Sequence, residues 1–308
     1  MWYNQIVMAD TPQNSILYLD QSNADTDFNQ KQNLIVFSKL GEGNYPTYDS
    51  GISIKFVTSG SEKYKIGHKT YSLIPKKYLV VNQGKDFECI IEGKNNADGV
   101  CIFLSPEKFR EVHSVLCTDS HILLQQPENI NLSPVSLHEN IFSFSAYQLG
   151  PVIENISNKL IQHDRDFMAN DELFYVLTEH LLLTQETILH QIQRIDTVKS
   201  STRHELFRRL YTAKELIDGD TSNKLDISTI SKLATLSEFH FIRTFRQVFG
   251  ISPYKYHLKK RLNRANDLLS SKRYSVTEVA YHIGFPDVFS FSKAFKKEFG
   301  VTPSVSLK

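Results

Sequence analysis

One pattern is written twice near the end of this 308-residue chain, and it restricts the fold more than any other feature. LDISTISKLATLSEFHFIRTFRQVFGISP occupies 225–253, and SVTEVAYHIGFPDVFSFSKAFKKEFGVTP occupies 275–303. Phe245, Phe249, Gly250 and Pro253 recur fifty positions later as Phe295, Phe299, Gly300 and Pro303. Two copies are too few to stack into a solenoid, so the pattern predicts a duplicated supersecondary unit inside one domain.

In the first copy Ile230, Leu233 and Ala234 fall at i, i+3 and i+4, one face of a short helix. Thr235-Leu236-Ser237 interrupts it, and Ser237 is a good N-cap for a second helix. That second helix lines Phe241, Phe245 and Val248/Phe249 along one face and leaves Arg243 and Arg246 off it. Gly250 then stops it, and Pro253 follows where a helix cannot continue. The second copy reads alike. Ser275 or Thr277 caps a helix with Val276, Val279, Ala280 and Ile283, and Gly284 supplies the turn. Asp287 caps a helix with a Phe291, Phe295, Phe299 stripe and with Lys293, Lys296 and Lys297 on or near its outer side. Helix, tight turn and basic second helix make a helix-turn-helix, whose second helix can lie in a DNA major groove. One copy alone could be an amphipathic helix pair with solvated charges; two at fixed spacing argue against that. Between them SPYKYHLKKRLNRANDLLSS predicts one helix of about 28 Å at 1.5 Å per residue. With its flanking units it separates the two second helices by near one turn of B-DNA, about 34 Å.

These residues resemble the double helix-turn-helix domain of the AraC/XylS family of bacterial transcription regulators. The likeness is carried by LATLSEFHFIRTFRQVFGISPYKY, by RLNRANDLL and by VAYHIGFPDVFSFSKAFKKEFGVTPS, and it covers about the last hundred residues. It implies that the first recognition helix presents Glu238, Phe239, His240, Ile242, Arg243 and Arg246 to DNA. It implies that the second presents Asp287, Val288, Ser290, Lys293 and Lys296. Two departures stand out. Ser231 and Thr235 replace the family's usual Ala and Gly, so the first turn is expected to survive with slight strain. Ile242 and Val288 are apolar where many relatives carry polar base readers, so they would touch thymine methyls or read little.

Charge divides along the same line. Residues 201–308 hold 19 Lys and Arg against 10 Asp and Glu, a net +9; residues 1–200 hold 16 against 24, a net −8. The basic part matches a nucleic-acid footprint, and a phosphate backbone would repel the acidic part, which implies another task there. Cys89, Cys101 and Cys117 form no CxxC pair and are expected as reduced thiols in a cytoplasmic protein. The N-terminal stretch lacks an apolar signal core, and no run approaches 18 apolar residues, so neither export nor a membrane span is expected.

The N-terminal part offers short strand signals: NLIVFSKL, GISIKFVTS, KYKIGHKTYSLI, KYLVVNQ, FECIIEG and GVCIFLS. Such density predicts a sandwich or barrel, and the resemblance implies a cupin-like jelly roll. The expected fold class is therefore α+β multidomain: a cupin-like β-barrel, a helical dimerisation segment and an all-α double helix-turn-helix. The expected boundaries are a disordered tail at 1–14, the barrel at 15–116, and a loop plus helical hairpin at 117–194. A linker at 195–203 and the DNA-binding domain at 204–308 follow. Ser105 and Pro106 open a helix at SPEKFREVHSVL. Two long patterns, 146–164 and 170–196, carry apolar faces that either pack within the chain or pair two chains. His163, His180 and His190 belong to those helices as surface or interface residues.

A cupin metal enzyme would need an HxH pair with further His or Glu. His68 stands alone, Glu62, Glu88 and Glu92 do not complete that spacing, and His113 and His121 fall outside the strands. No metal, cofactor or catalysis is therefore expected. Inward alternation offers Ile54, Phe56, Tyr64, Ile66, Tyr71 and Phe87 as lining for a small-molecule effector, with plain core packing as the alternative for each. The leading functional expectation is a transcription regulator acting on double-stranded promoter DNA as a homodimer, answering a small-molecule effector, and touching RNA polymerase if it activates. Rival expectations are a cupin-type metal enzyme with a helical tail, and a helical module that binds protein.

Overall fold

The structure, a computed structural model, describes residues 16–93, 96–117, 136–162, 167, 169–197, 199–219 and 225–306. The expected tail at 1–14, most of the expected loop after Cys117, and His121 and His163 lie outside those residues. The chain divides into two compact units, Met1–Ile188 and Leu189–Lys308.

In the first unit the β-branched and aromatic runs form strands, some alternating between buried and exposed residues and some buried on both faces. A six-stranded sheet contains β1 (Ile16–Asp20), β2 (Leu34–Leu40), β4 (Ile52–Ser59), β7 (Lys77–Val81), β9 (Ala97–Leu104) and β10 (Ile141–Ser143). Its strand order is β1-β2-β9-β4-β7-β10. A four-stranded sheet, in order β3-β8-β5-β6, contains β3 (Gly43–Thr47), β5 (Glu62–Ile66), β6 (Lys69–Leu73) and β8 (Phe87–Ile91). Leu40, Val57, Leu79 and Val81 of the larger sheet share one buried cluster with Tyr64, Ile66, Tyr71, Leu73, Phe87, Cys89 and Ile91 of the smaller.

The expected cupin-like barrel or jelly roll is not what forms. Each sheet is open, ending in edges at β1 and β10 or at β3 and β6, and no ladder among the described residues closes either one. Alternation records only which face of a strand is buried. Two stacked open sheets and a closed barrel bury the same faces; edge hydrogen bonds decide between them. Three strands carried no signal in the sequence: β1, which pairs in parallel with β2; β3, which holds Pro46 at a sheet edge; and three-residue β10.

Three helices accompany the sheets. The first, α1 (Pro106–Cys117), begins at Ser105, whose hydroxyl accepts from the Lys108 amide at 3.4 Å. Next come α2 (Leu149–Ile161) and α3 (Asp171–Gln193), the latter capped by Asn170 through the Leu173 amide at 3.0 Å. Their apolar faces are buried within the single chain at Leu149, Ile153, Ile156, Phe174, Leu177, Leu181 and Ile188. Among the described residues no helix is long and apolar enough to cross a membrane.

The second unit is helical: α4 (Ser200–Gly219), α5 (Ile227–Leu233), α6 (Glu238–Phe249), α7 (Pro253–Ser270), α8 (Val276–His282), α9 (Val288–Phe299) and α10 (Pro303–Ser306). Each copy of the pattern has its own aromatic ladder. Phe241, Phe245 and Phe249 stand at 5.6 and 4.6 Å between successive ring centres, and Phe291, Phe295 and Phe299 at 5.5 and 4.5 Å. The turns match bond for bond. Leu236 N–H reaches Ser231 O as Phe285 N–H reaches Ala280 O, both at 2.9 Å. The turn residue has φ +54° at Thr235 and +77° at Gly284.

Candidate nucleic-acid interface

The two exposed second helices are built alike from their caps outward. Ser237 accepts from the His240 amide at 3.3 Å and starts α6. Asp287 accepts from the Ser290 amide at 2.7 Å, and its other oxygen takes the Ser290 hydroxyl at 2.8 Å, starting α9. Those two hydrogen bonds hold the Asp287 carboxyl below its ordinary range. Both helices end at a left-handed glycine, Gly250 at φ +80° and Gly300 at φ +77°, a conformation in which a Cβ would crowd the following carbonyl.

Once Phe241, Phe245 and Val248 are buried, α6 turns Glu238, Phe239, His240, Arg243 and Arg246 to solvent, with Ile242 half-buried. A concavity of about 470 Å³ on this face is lined by Phe239, Ile242, Arg243, Arg246 and Gln247. Arg243 meets Asp196 at 3.4 Å, but both side chains are largely exposed, so the pair holds the guanidinium only weakly. On α9, Phe291 and Phe295 are buried and Lys293, Lys296 and Lys297 are exposed. Asp287 and Ser290 are half-buried and engaged with each other, and Val288 packs against the core cluster of Phe291 and Phe295. The residue standing outward beside it is Phe289, 78% exposed, at the position where α6 carries Phe239, 77% exposed. Phe289 was absent from the sequence-derived set. The signal for it existed: Val288 lies three residues before Phe291, on the buried stripe, and the fifty-residue register maps Phe239 onto Phe289.

The linker helix α7 is capped at its start and tied to both neighbours within its first half. Ser252 caps it with Pro253 in its first turn, and its 18 residues span about 27 Å. Arg261 donates to the Ile283 carbonyl at 2.7 Å and lies over the Phe285 ring at 4.7 Å, tying α7 to the second turn. Asp218 ties α7 to α4. It accepts from the Tyr256 hydroxyl at 2.6 Å and meets Lys214 and Lys260 at 3.0 Å. Burial alone would raise the Asp218 carboxyl; the two lysines and Tyr256 together hold it lowered. Both anchors fix the second turn and α4 to one rod, which a rigid two-helix reader requires.

The six residues offered as effector lining are all buried, but the strands divide them. Tyr64, Ile66, Tyr71 and Phe87 lie in the cluster between the sheets, together with Val57. Phe56, next to Val57, packs against Phe144 at 5.8 Å, so Phe56 and Ile54 occupy the opposite face of β4. The intersheet face of β4 holds Lys55 instead, only 2% exposed. Its Nζ donates to Cys101 Sγ at 2.9 Å and lies 4.1 to 5.3 Å from the ring centres of Phe87, Phe103 and Tyr64. Glu62 is also buried; burial raises its carboxyl, against a 2.7 Å hydrogen bond from the Tyr64 hydroxyl and the Lys55 charge. Among the described residues no His, Cys, Asp and Glu group could hold a metal ion.

Two equivalent helix-turn-helix units on one rod, each with a basic outward helix, define a DNA-binding protein. Comparison with known proteins agrees. A helix-turn-helix domain model matches residues 230–308. The probable transcriptional regulator LumQ of Photobacterium leiognathi is 21% identical over 183 residues, 59% of this chain and 69% of that one. The arabinose operon regulatory protein of Escherichia coli is 30% identical over 114 residues, 37% of this chain but only 39% of its own length. A solved Chromobacterium violaceum transcriptional regulator described as AraC-type shares 29% identity, covering 32% of this chain and 88% of that one, with a TM-score of 0.31. The chain is a sequence-specific DNA-binding transcription regulator, and its C-terminal helix-turn-helix domain is similar to that of the arabinose operon regulatory protein, of whose length the chain spans 39%.

Proposed function

We propose that α6 and α9 enter successive major grooves on one side of a promoter duplex, and that the N-terminal unit conditions this by holding a small anionic effector. The observation that carries the DNA part is the equivalence of the two exposed faces at either end of α7. His240, Arg246 and Lys296 would serve phosphates together with the helix N-termini, and Arg243 and Lys293 would reach base edges. Sequencing genomic fragments retained by the purified chain, followed by gel-shift titration at two salt concentrations, tests it. Arg243→Ala should weaken binding to the selected operator by about 1–3 kcal/mol; unchanged binding would remove α6 from the groove.

Lys55 supports the effector part. A buried ammonium is stable when paired with an anion; the direct contacts of this one are a sulfur and three ring faces, and the buried Glu62 carboxyl is the charge it interacts with. A ligand carboxylate or phosphate would add a direct anionic contact to that pairing. A thermal-shift screen of small carboxylic and phosphoric acids should give hits that Lys55→Met abolishes. Hits that survive the substitution would place the ligand elsewhere. Homodimerisation through the outward sides of α2 and α3 completes the reading, because Ile161 and Tyr175 remain exposed there. Sedimentation equilibrium of wild type against Tyr175→Glu checks it.

A further inference from the structure

The structure points to Phe239 and Phe289 as a matched pair of base readers, each set against the C5-methyl of a thymine one helical turn of DNA apart. This inference rests on the DNA reading above and extends it to a residue, Phe289, that sequence resemblance did not supply. Each phenylalanine is the second residue of its helix, just past the cap, and each is more than three-quarters exposed. Every other phenylalanine of the two ladders is buried or half-buried. Residues in the first turn of a recognition helix are those that approach base edges. A phenyl ring carries neither donor nor acceptor, so it cannot use the hydrogen-bonding code of the groove. The one apolar group that the major groove displays is the thymine methyl.

The two apolar residues that the sequence offered for this role are placed otherwise. Val288 is half-buried against the core cluster, and Ile242, also half-buried, lines the wall of the α6 concavity beside Phe239. The partner of each ring is set by the same helical spacing. Arg243 lies four residues after Phe239, and Lys293 four after Phe289, so each helix shows an aromatic ring and a cation on one face. Arg and Lys favour the O6 and N7 of guanine. Each half-site is therefore read as a thymine near a guanine, with the two thymines about ten base pairs apart.

Replacing thymine by deoxyuridine deletes the methyl and nothing else. Once an operator has been selected with the full-length chain, each thymine is replaced singly and the affinity measured for wild type, Phe239→Ala and Phe289→Ala. The wild type should lose about four-fold at one thymine in each half-site, the effect of one buried methyl group (~0.8 kcal/mol). Phe239→Ala should become indifferent at the first position and keep its response at the second; Phe289→Ala should do the reverse. Both side chains are exposed, so the variants should fold, and retained salt-dependent binding verifies this. Wild-type indifference at every thymine, or a response unchanged in both variants, overturns the inference while leaving the DNA reading intact. Failure to select any operator overturns both.

Discussion

At the level of single residues, the two copies differ most tellingly at the turn. Gly284 and Thr235 occupy the same left-handed position, with the same backbone hydrogen bonds around them. A β-branched residue there is costly, about 1–2 kcal/mol for the Cβ against the carbonyl. Part of that is offset because threonine loses less chain entropy on folding than glycine, roughly 0.4–1 kcal/mol. Thr235→Gly should therefore stabilise the first helix-turn-helix by about 0.5–1 kcal/mol, seen as slower amide exchange in α5 and α6. Gly284→Thr should destabilise the second by a similar or larger amount. The strain was legible before the fold was known, because the repeat itself names the glycine that Thr235 replaces. Lys55 was not legible. Reading Ile54 and Phe56 as inward puts Lys55 outward, and only a strand covered on both faces, as β4 is, buries all three.

At the level of elements, α4 carries a local charge cluster with a pH signature. Glu205 takes hydrogen bonds from Arg208 at 2.7 Å and from Arg209 at 2.8 Å. The Arg208 guanidinium first, and then Arg209, bring its carboxyl down to about 2 from an ordinary 4.5. A carboxyl depressed in the folded state contributes stability above its unfolded value and loses it as pH falls through the folded one. The contribution is thus complete above about pH 5 and gone near pH 2. The side chains are about one-third exposed, so solvent screening reduces it to about 1 kcal/mol. Urea midpoints of the C-terminal unit should fall between pH 6 and pH 2, and Glu205→Gln should flatten that fall by about this amount. The helix boundaries themselves were largely readable. Ser237, Asp287 and Ser275 as caps, and Gly250 and Gly300 as stops, are chemical statements about orphaned amides and carbonyls that hold in any context. Burial within a helix was read less well. Val288 and Phe289 differ by one residue, about 100° around the axis, and the cap position alone does not set that phase.

For the whole molecule, the acidic N-terminal part and the basic C-terminal part fix how binding should respond to salt. Each phosphate contact neutralised releases counterions, giving a log–log slope of about −0.9 per contact on duplex DNA. Arg246→Ala and Lys296→Ala should each flatten the slope by about one and weaken all sequences alike, whereas Arg243→Ala should weaken the operator selectively. Fluorescence anisotropy over a salt series, on operator and scrambled duplexes, measures both. Equal losses on both duplexes for Arg243→Ala would make it a phosphate ligand.

The amino-acid order by itself determined the tandem units, their caps and stops, the stiff connector and the uneven charge, and hence the DNA-binding class. All of these rest on contacts between residues near in sequence, where helical periodicity and cap chemistry act. The tertiary structure alone decided that the N-terminal sheets stay open and that a lysine lies between them. Those outcomes depend on which distant strand edges meet and which face a neighbour covers. Alternation and periodicity leave both undetermined, because competing packings bury the same residues.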